Sequence, residues 1–245
     1  MRALKTLIVI PARYGSTRLP VKPLANLCGK PMVQHVYERA RQAKLANEVV
    51  IATDDERIFK VAQSFDGHVI MTSSRHTSGT DRVAEVNAKY QAEVVVNLQG
   101  DLPLIQPATL DTLISGFCEP GQTAPMGTLK SDLSDPTEIE NPNLVKVVTD
   151  LKGMALYFSR SPIPFARDGK QTQVFRHIGV YIFQRQFLPL FSQLPPSPLE
   201  KAESLEQLRA LENGYPIRVF STSQSVVEVD TSEDLQKASL LLSQQ

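Results

Sequence analysis

Short runs of β-favouring apolar residues alternate with amphipathic helical patterns through the first hundred residues of this 245-residue chain. Apolar runs of this kind are typical of buried strands, and a helix between two strands lets the second return parallel to the first. The alternation therefore predicts an α/β fold, with a mostly parallel, Rossmann-like sheet and helices on both faces. The predicted strands cover 7–10, 49–53, 69–71 and 94–98, the first ending at Pro11, and the predicted helices cover about 31–44, 56–65 and 80–90.

The second half of the chain has a less regular pattern. Two strands are predicted around a turn at Lys152 and Gly153, and a long helix is predicted to end at Gly214. Thr231 is suited to cap the last helix. We expect one domain over 1–245 with an inserted α+β sub-region at about 130–190. The predicted strands cover 145–148, 155–158, 178–183, 218–220 and 226–229, and the predicted helices cover about 199–213 and 231–242.

Composition and charge argue against several classes of protein. The 26 Lys and Arg residues balance 26 Asp and Glu residues, whereas nucleic-acid-binding proteins generally carry a basic excess. No apolar run approaches the roughly 20 residues of a membrane span, and the N-terminal residues lack a cleavable signal pattern. The two cysteines, Cys28 and Cys118, favour neither a disulfide framework nor a structural zinc site. We expect a cytoplasmic protein that binds neither nucleic acid nor a membrane.

The loop after the first predicted strand is rich in cations. Arg13, Arg18 and Lys22 lie within ten positions without an acidic residue among them, and Gly15 allows close approach to the backbone. The carboxyl end of a strand is where open α/β sheets bind ligands. One cation about 4 Å from a phosphate charge contributes roughly 4 kcal/mol at an effective dielectric near 20, so this loop predicts a triphosphate site. The alternative is a solvated basic loop, since neither a Walker motif nor a GxGxxG motif is present.

Motifs follow one another along nearly the whole chain. Residues 11–24 have the pattern PARxxSxRLPxKPL, and further blocks are GKPM at 29–32, ATDD at 52–55, HTSGTDR at 76–82, NLQGD at 97–101, ALYFSR at 155–160, HIGVY at 177–181, LEQLR at 205–209 and VDT at 229–231. Together they resemble the 3-deoxy-manno-octulosonate (Kdo) cytidylyltransferase family. The resemblance implies a nucleotidyltransferase sheet, transfer of CMP from CTP to the anomeric hydroxyl of Kdo for lipopolysaccharide biosynthesis, and a homodimer whose 130–190 sub-region binds sugar and contributes interface.

The resemblance also implies which residues bind the nucleotide. Arg13 and Lys22 would contact the phosphates and act in catalysis, with the Ala12 amide and Arg18 nearby. Ser78 and Gly79 would frame the cytosine, with Arg82 close to the nucleotide. Taken alone, Ser78, Gly79 and Thr80 are more typical of an ordinary helix cap than of a nucleotide site.

The sugar side comes mainly from the second half of the chain. His177 and Tyr181 are spaced so that a strand presents both on one face, and the alternative is a half-buried strand with a hydrogen-bonded histidine. Arg160 suits the sugar carboxylate because a guanidinium pairs with it bidentately. Glu206 and Gln207 lie off the apolar stripe of their predicted helix and can face the cleft or solvent. The resemblance adds Gln99 to the sugar contacts.

Asp101 and Asp230 are the predicted ligands of a catalytic Mg2+. Asp101 ends the fourth predicted strand, and Asp230 follows the strand predicted at 226–229. Mg2+ takes one or two carboxylates together with phosphate oxygens and water, so two carboxylates are a sufficient contribution from the protein. No protein nucleophile is required, because phosphoryl-type transfer depends mainly on positioning and charge. The alternative for Asp230 is a helix cap.

Two residues depart from the family pattern. Val21 stands where the family usually has glycine, and a valine is expected to avoid positive φ, so we expect a different local backbone. Leu102 stands where a polar residue usually follows the metal-binding aspartate. Competing hypotheses are activation of the 8-amino analogue of Kdo or of another 2-keto sugar acid, and an inactive paralogue that only binds ligand.

Overall fold

A nine-stranded mixed sheet organises the residues that this computed structural model describes, which are 4–15, 19–167, 172–224 and 226–244. The strands are β1 (Thr6–Ala12), β2 (Asn26–Leu27), β3 (Lys30–Pro31), β4 (Glu48–Thr53), β5 (Val69–Met71), β6 (Val94–Leu98), β7 (Met126–Leu133), β8 (Lys146–Thr149), β9 (Ala155–Ser159), β10 (Val174–Gln184) and β11 (Ile217–Ser221). The helices are α1 (Met32–Ala40), α2 (Glu56–Ser64), α3 (Gly79–Tyr90), α4 (Pro107–Phe117), α5 (Pro136–Glu140), α6 (Phe187–Gln193), α7 (Pro198–Glu203), α8 (Leu208–Glu212) and α9 (Ser232–Leu242). Strands β2 and β3 pair separately as a small hairpin.

The main sheet has a parallel half and a mixed half. Strands β6, β1, β4 and β5 are parallel neighbours in that order. Strand β10 is antiparallel to both β6 and β7, and β11 pairs in parallel with β7 at the other edge. Between β7 and β10 the chain forms α5 and the β8–β9 hairpin, which joins β10 through β8. The predicted α/β class, with a mostly parallel first half, is confirmed.

Helices cover both faces of the sheet because the central strands are apolar on both sides. In β1, Ile8 and Ile10 point into one core with α1, α2 and α4, whereas Leu7 and Val9 point into a second core with α3 and α6. All four side chains are fully buried. Leu102 is also fully buried in the first core, so this departure from the family pattern serves packing. None of the described helices is long and apolar enough to span a membrane.

Several strand and helix boundaries predicted from the sequence differ from the observed ones. Strand β1 does not end at Pro11 but continues to Ala12, paired with Thr53 of β4. Proline is tolerated there because β6 pairs with β1 only as far as Val9, so the missing N–H of Pro11 breaks no bond to β6. The sequence reading also missed β7, α4, α5 and α6.

The helix predicted over 199–213 is wrong as a single element. It is divided into α7 and α8, because Ser204 adopts a left-handed conformation (φ 53°) at the end of α7. Residues 205–207 then form a turn before α8. Glu206 and Gln207 therefore lie between two helices and not on the surface of one, which changes the direction of both side chains.

Candidate active site

Predicted nucleotide, sugar and metal residues lie together where the parallel strands end. Ala12 is the buried last residue of β1 and Arg13 follows it, while Gln99 and Asp101 follow β6 directly. Because β1 and β6 are parallel neighbours, these segments meet at one edge of the sheet. Arg18 lies outside the described residues, so its role stays a prediction.

Val21 forms a strained turn immediately before Lys22. It has φ 54° and ψ 35°, in the left-handed region, immediately before a 3-10 helix at Lys22–Leu24. This conformation costs about 1–2 kcal/mol in a residue with a Cβ atom and is a marked outlier for a β-branched side chain. The N–H of Leu24 donates to the carbonyl of Val21 at 2.8 Å and closes the turn. Contrary to expectation, valine takes the positive φ that glycine would tolerate.

The ammonium group of Lys22 bridges the two predicted metal ligands. Its Nζ donates to Asp101 Oδ2 and to Asp230 Oδ1, at 2.8 Å in each case. Burial would lower the pKa of Lys22, but attraction and hydrogen bonding from the two carboxylates outweigh it and raise the pKa above its ordinary value. Lys22 is therefore a full positive charge at the point where the two carboxylates converge.

Asp230 reaches this point by a route other than the predicted one. The strand predicted at 226–229 is wrong, since these residues form no strand. A single backbone bond, from the N–H of Val229 to the carbonyl of Asp101 at 2.9 Å, brings the two loops together. Thr231 caps α9 in a capping box with Asp234, as predicted, which leaves the Asp230 side chain to face Lys22.

A cavity of about 460 Å3 is lined by residues that follow β1 and β6, namely Arg13 and Gln99. Arg13 donates from Nη1 to the carbonyl of Thr77 at 3.0 Å. Ser78 is the N-cap of α3 and forms a capping box with Asp81, so the structural and the binding interpretations of this residue coexist. A Cβ atom at Gly79 would lie 3.3 Å from Pro11 Cγ, which indicates how closely α3 approaches β1. The cavity is lined by Arg13, Thr77, Ser78, Gly79, Thr80, Gln99, Glu200, Lys201, Ser204, Leu205, Glu206 and Arg209.

Glu206 enters this cavity from the turn between α7 and α8. Its Oε2 accepts a hydrogen bond from the hydroxyl of Thr80 at 2.6 Å. Burial raises the pKa of Glu206, although the hydrogen bond from Thr80 and the charge of Arg209 oppose the shift. The carboxylate is thus held in place by α3, the helix that carries Ser78 and Gly79.

Two buried polar residues that the sequence analysis did not single out support the cavity wall, Thr80 within the lining and Asn97 behind it. Asn97 is fully buried on β6, and Thr80 is nearly so on α3. Asn97 Nδ2 donates to Thr80 Oγ1 at 3.3 Å, and Gln99 Nε2 donates to Asn97 Oδ1 at 3.0 Å. The sequence did contain a signal for this network, namely an asparagine within the otherwise apolar strand β6. A buried amide needs hydrogen-bond partners, so polar neighbours could have been expected around it.

His177 and Tyr181 share one face of β10, as their spacing predicted. Their ring centroids are 5.5 Å apart. His177 is buried, which together with Arg176 lowers its pKa to about 3, so it is neutral at physiological pH. The single proton of the Thr128 hydroxyl is donated to the backbone carbonyls of Ile178 and Val180, so we assign His177 Nε2 as the donor to Thr128 Oγ1, at 3.0 Å.

The hydroxyl of Tyr181 donates to Gln207 Oε1 at 2.9 Å. The Gln207 side chain is buried, and its Nε2 has no hydrogen-bond partner among the described residues. A buried donor without a partner is unfavourable, so this nitrogen is available to a ligand. In the described structure, however, His177, Tyr181 and Gln207 do not line the 460 Å3 cavity.

Arg160 and Arg82 have extensive protein contacts. The Arg160 guanidinium donates to the carbonyls of Glu203, Pro142 and Ser204, at 2.6, 2.9 and 3.4 Å. Arg82 is fully buried, with Nη2 3.0 Å from Asp54 Oδ2 and with the hydroxyl of Thr72 beside Nη1. Arg82 is not among the residues that line the cavity, and its nucleotide contact, like the carboxylate contact of Arg160, stays a prediction.

A larger cavity, of about 730 Å3, has Asp230 in its lining. Six carboxylates line it and only two cations, Arg176 and Lys237, so it repels a triphosphate. Burial, with added repulsion from Asp101 and Asp230, raises the pKa of Glu228 in its wall to about 7 against the opposing charge of Arg176. The smaller cavity, lined by Arg13, Lys201 and Arg209 against Glu200 and Glu206, therefore suits an anionic ligand better. The six carboxylates belong to Asp132, Glu138, Glu228, Asp230, Glu233 and Asp234.

The donor set at Lys22 fits a magnesium ion that arrives with a phosphate ligand. Two carboxylates converge on one cation, the ammonium of Lys22, which marks a position suited to positive charge. In the part of the chain that the structure describes, no cluster of three or more His, Cys, Asp or Glu residues could hold a metal alone. Mg2+ is commonly bound by one or two carboxylates with substrate phosphates and water, so Asp101 and Asp230 suffice.

Comparison with known proteins identifies the family. A sequence profile of the family described as "Cytidylyltransferase" matches residues 7–224, and the chain belongs to this family of enzymes. It is 54% identical over 238 residues to the 3-deoxy-manno-octulosonate cytidylyltransferase of Solibacter usitatus, covering 97% of this chain and 94% of that protein. The corresponding protein of Geobacter sulfurreducens is 51% identical over 240 residues, covering 94% and 96%.

A solved structure agrees with these relatives. It is described as CMP:2-keto-3-deoxy-manno-octonic acid synthetase complexed with CTP, and it is similar to this chain with a TM-score of 0.93 and 47% identity. The match covers 98% of this chain and 99% of that one. The likeness therefore extends over both the parallel half of the sheet and the 130–190 region.

Proposed function

We propose that this protein transfers CMP from CTP to the anomeric hydroxyl of Kdo, forming CMP-Kdo and pyrophosphate. The observation that carries the proposal is the full-length likeness, at 47% identity, to a synthetase described as complexed with CTP. Relatives of about the same length that are 51–54% identical are named for the same sugar acid. The cationic loop, the paired carboxylates and the neighbouring cavity supply the chemistry that such a reaction needs.

In the proposed reaction, the anomeric oxygen of the sugar attacks the α-phosphorus of CTP. The bond from that phosphorus to the bridging oxygen of the β-phosphate breaks, pyrophosphate leaves, and the hydroxyl proton passes to solvent. Such displacements are accelerated mainly by alignment and by neutralised charge. Arg13 and Lys22, with the Ala12 amide and Arg18, are proposed to hold the triphosphate, while Ser78, Gly79 and Arg82 hold the cytidine.

Asp101 and Asp230 are proposed to hold Mg2+. When bound, the ion would neutralise charge on the α-phosphate and on the leaving pyrophosphate. Lys22 must then exchange its two carboxylate partners for phosphate oxygens, because the ammonium and a metal ion cannot share one position. The long, flexible side chain of lysine suits such an exchange.

The sugar acid is proposed to lie in the 460 Å3 cavity against Gln99 and Glu206. Arg160 would receive the carboxylate, and His177, Tyr181 and Gln207 would close the far side. The unpartnered Nε2 of Gln207 supports this placement because it supplies a donor in an otherwise satisfied region. Adjustment of the turn at 204–207 would bring these buried groups into contact with the ligand.

The proposal is tested by product formation. Purified protein is incubated with Mg2+, Kdo and each of CTP, UTP and GTP, and pyrophosphate release is measured together with the mass of the sugar nucleotide. We expect CMP-Kdo with CTP only, and at least a hundredfold slower turnover in Asp101→Asn and Asp230→Asn. A better rate with the 8-amino analogue or another 2-keto sugar acid would reassign the acceptor. Ligand binding without any product would identify an inactive paralogue.

We also propose a homodimer formed through the 130–190 region. Leu151, Leu156 and Phe165 are 108%, 62% and 88% exposed there, and large exposed apolar side chains close together in the sequence are typical of an interface. Light scattering after gel filtration should give the mass of two chains, and Leu156→Glu with Phe165→Glu should give one. Leu240→Glu, at a 65% exposed position of α9, serves as the control and should stay dimeric. A monomeric wild type contradicts the proposal.

We further propose that the protein acts in the cytoplasm and in lipopolysaccharide biosynthesis. Both proposals follow from the proposed use of CTP and Kdo as substrates.

A further inference from the structure

A continuous chain of hydrogen bonds through the interior links Gln99 and Glu206, two of the residues proposed to bind the sugar acid. It runs from Gln99 Nε2 to Asn97 Oδ1, from Asn97 Nδ2 to Thr80 Oγ1, and from the Thr80 hydroxyl to Glu206 Oε2, with lengths of 3.0, 3.3 and 2.6 Å. Gln99, Thr80 and Glu206 line the cavity, whereas Asn97 is fully buried behind it. The chain therefore couples the cavity wall to the core.

The carboxylate of Glu206 fixes the direction of every bond in this chain. An ionised carboxylate can only accept hydrogen bonds, so Thr80 must give its single hydroxyl proton to Glu206. The Thr80 oxygen is then restricted to accepting, which requires the NH2 group of Asn97 to face it. The Oδ1 atom of Asn97 consequently faces Gln99 and accepts from the NH2 group of that residue.

The orientation of Gln99 follows from this order. Its NH2 group is turned inward to Asn97, and its Oε1 atom is left on the cavity side, 3.9 Å from where a Cβ atom at Gly79 would lie. An amide that could rotate freely would offer either a donor or an acceptor to a ligand. With Asn97 and Thr80 behind it, Gln99 offers an acceptor only.

We propose that Asn97 and Thr80 are positioning residues, which determine that Gln99 offers a hydrogen-bond acceptor to the sugar-binding cavity. The sugar acid must then present a hydroxyl donor, and not a carboxylate or keto oxygen, to Gln99. The inference rests on the proposed placement of the sugar acid in this cavity. Two acceptors in one wall, Gln99 Oε1 and the Glu206 carboxylate, repel the sugar carboxylate and direct it to another side of the cavity. Specificity is thus controlled through the orientation of Gln99, which depends on Thr80 in the cavity wall and on Asn97 buried behind it.

The experiment measures the dissociation constants of Kdo and of CTP for Thr80→Val, which removes the hydroxyl at nearly constant shape. We expect Kdo binding to weaken about tenfold, the size of one lost hydrogen bond of the stronger kind, with CTP binding within about twofold of wild type. Thr80→Ser should restore Kdo binding. Thr112→Val is the matched control, because its hydroxyl donates to the carbonyl of Ala108 within α4 at 2.9 Å and does not line the cavity.

A second readout separates polarity from general damage. A deoxyfluoro analogue of Kdo, altered at the hydroxyl that meets Gln99, keeps its size but cannot donate, so the wild type should discriminate strongly between it and Kdo. In Thr80→Val the amide of Gln99 is free to rotate, so the discrimination between Kdo and the analogue should fall severalfold. Analogues altered at each hydroxyl in turn identify the hydroxyl that meets Gln99. Asn97→Leu, which can neither accept from Gln99 nor donate to Thr80, should behave in the same way and replaces Thr80→Val if that variant does not fold.

The outcomes distinguish the inference from the proposed function. If Gln99→Ala weakens Kdo binding but Thr80→Val and Asn97→Leu leave both affinity and discrimination unchanged, the positioning role is refuted and the sugar site stands. If Gln99→Ala also leaves Kdo binding unchanged, the sugar does not lie in this cavity, and both the placement and the inference are wrong.

Discussion

Replacing Lys22 by methionine should change metal binding and nucleotide use in opposite directions. The ammonium lies 2.8 Å from an oxygen of Asp101 and of Asp230, the two carboxylates proposed to hold Mg2+. In the nucleotide-free protein it therefore competes with any divalent ion for the same oxygens. Methionine keeps most of the length of the side chain and removes only its charge and donors.

The structure sets the size of the effect. A hydrogen bond to a charged group contributes about 1.5–3 kcal/mol, and Lys22 makes two. The side chains of Lys22 and the aspartates are 16% and 26% exposed, so solvent screens part of this energy, and we count one contact, not two. At 1.4 kcal/mol for each factor of ten, divalent binding to the free protein should tighten by about ten- to hundredfold.

Mn2+ titrations followed by electron paramagnetic resonance measure this affinity without turnover. Lys22→Met should bind Mn2+ more tightly than wild type in the absence of CTP. In steady-state assays the same variant should use CTP about ten- to hundredfold less efficiently, because a cation that would contact phosphate is gone. Lys30→Met is the matched control, since Lys30 pairs with Glu38 on an exposed surface, and it should change neither quantity.

Two results would refute this reasoning separately. If Lys22→Met binds Mn2+ no more tightly than wild type, the ammonium does not occupy the position of the metal. If CTP use is unchanged while the protein melts normally, Lys22 does not contact the triphosphate. A general loss of structure would weaken both kinds of binding together, which the control variant and the melting curve would reveal.

Three further predictions concern strain, pH and the sugar carboxylate. Val21→Gly should leave the free energy of unfolding within about 1 kcal/mol of wild type, because lost packing is offset by relief of the left-handed strain, whereas Val61→Gly in α2 should cost more than about 1 kcal/mol in the same urea titration. In the folded protein the pKa of His177 is about 3, whereas the ordinary value of 6.5 applies to the unfolded chain. Protonation therefore favours the unfolded state, so the stabilising contribution of neutral His177 is present above pH 6.5 and is lost as pH falls towards 3. Between pH 7 and 4.5 the wild type should therefore lose about 2–3 kcal/mol more stability than His177→Gln, and equal losses would contradict the shift. Arg160→Lys should raise the KM for Kdo far more than that for CTP, and a loss of stability with equal effects on both would assign Arg160 only to the three carbonyls that it contacts.

The first half of the fold was predictable because its signals are local. Strands β5 and β6 were predicted with their observed bounds, since each is a short apolar run between polar segments. Asp55 and Ser78 cap α2 and α3 through their own side chains, so the starts of these helices could be predicted from residue type alone. Both faces of the parallel strands are covered, which agrees with their uniformly apolar composition.

Strand β7 was missed because its polar residues find partners far away in the sequence. Thr128 bonds to His177 and to two carbonyls of β10, and Lys130 donates to Thr149 while lying over the ring of Phe175. These contacts satisfy groups that local pattern counts as unfavourable for a buried strand. The break at Ser204 was equally hidden, because neither glycine nor proline marks that left-handed residue.

The exit of β6 joins the two halves of the proposed reaction. Asn97 is the last polar residue within the strand, Gln99 lies in the cavity wall, and Asp101 meets Lys22. Only Gly100 separates the proposed sugar contact from the proposed metal ligand, and a Cβ atom there would approach the carbonyl of Pro11 to 3.4 Å. The end of one strand, packed closely against the end of β1, thus holds Gln99 and Asp101, with these two proposed roles, two residues apart. Positioning of this kind is the main contribution that a protein makes to an in-line displacement, which explains why polar residues at the end of an otherwise apolar strand are the most informative part of this sequence.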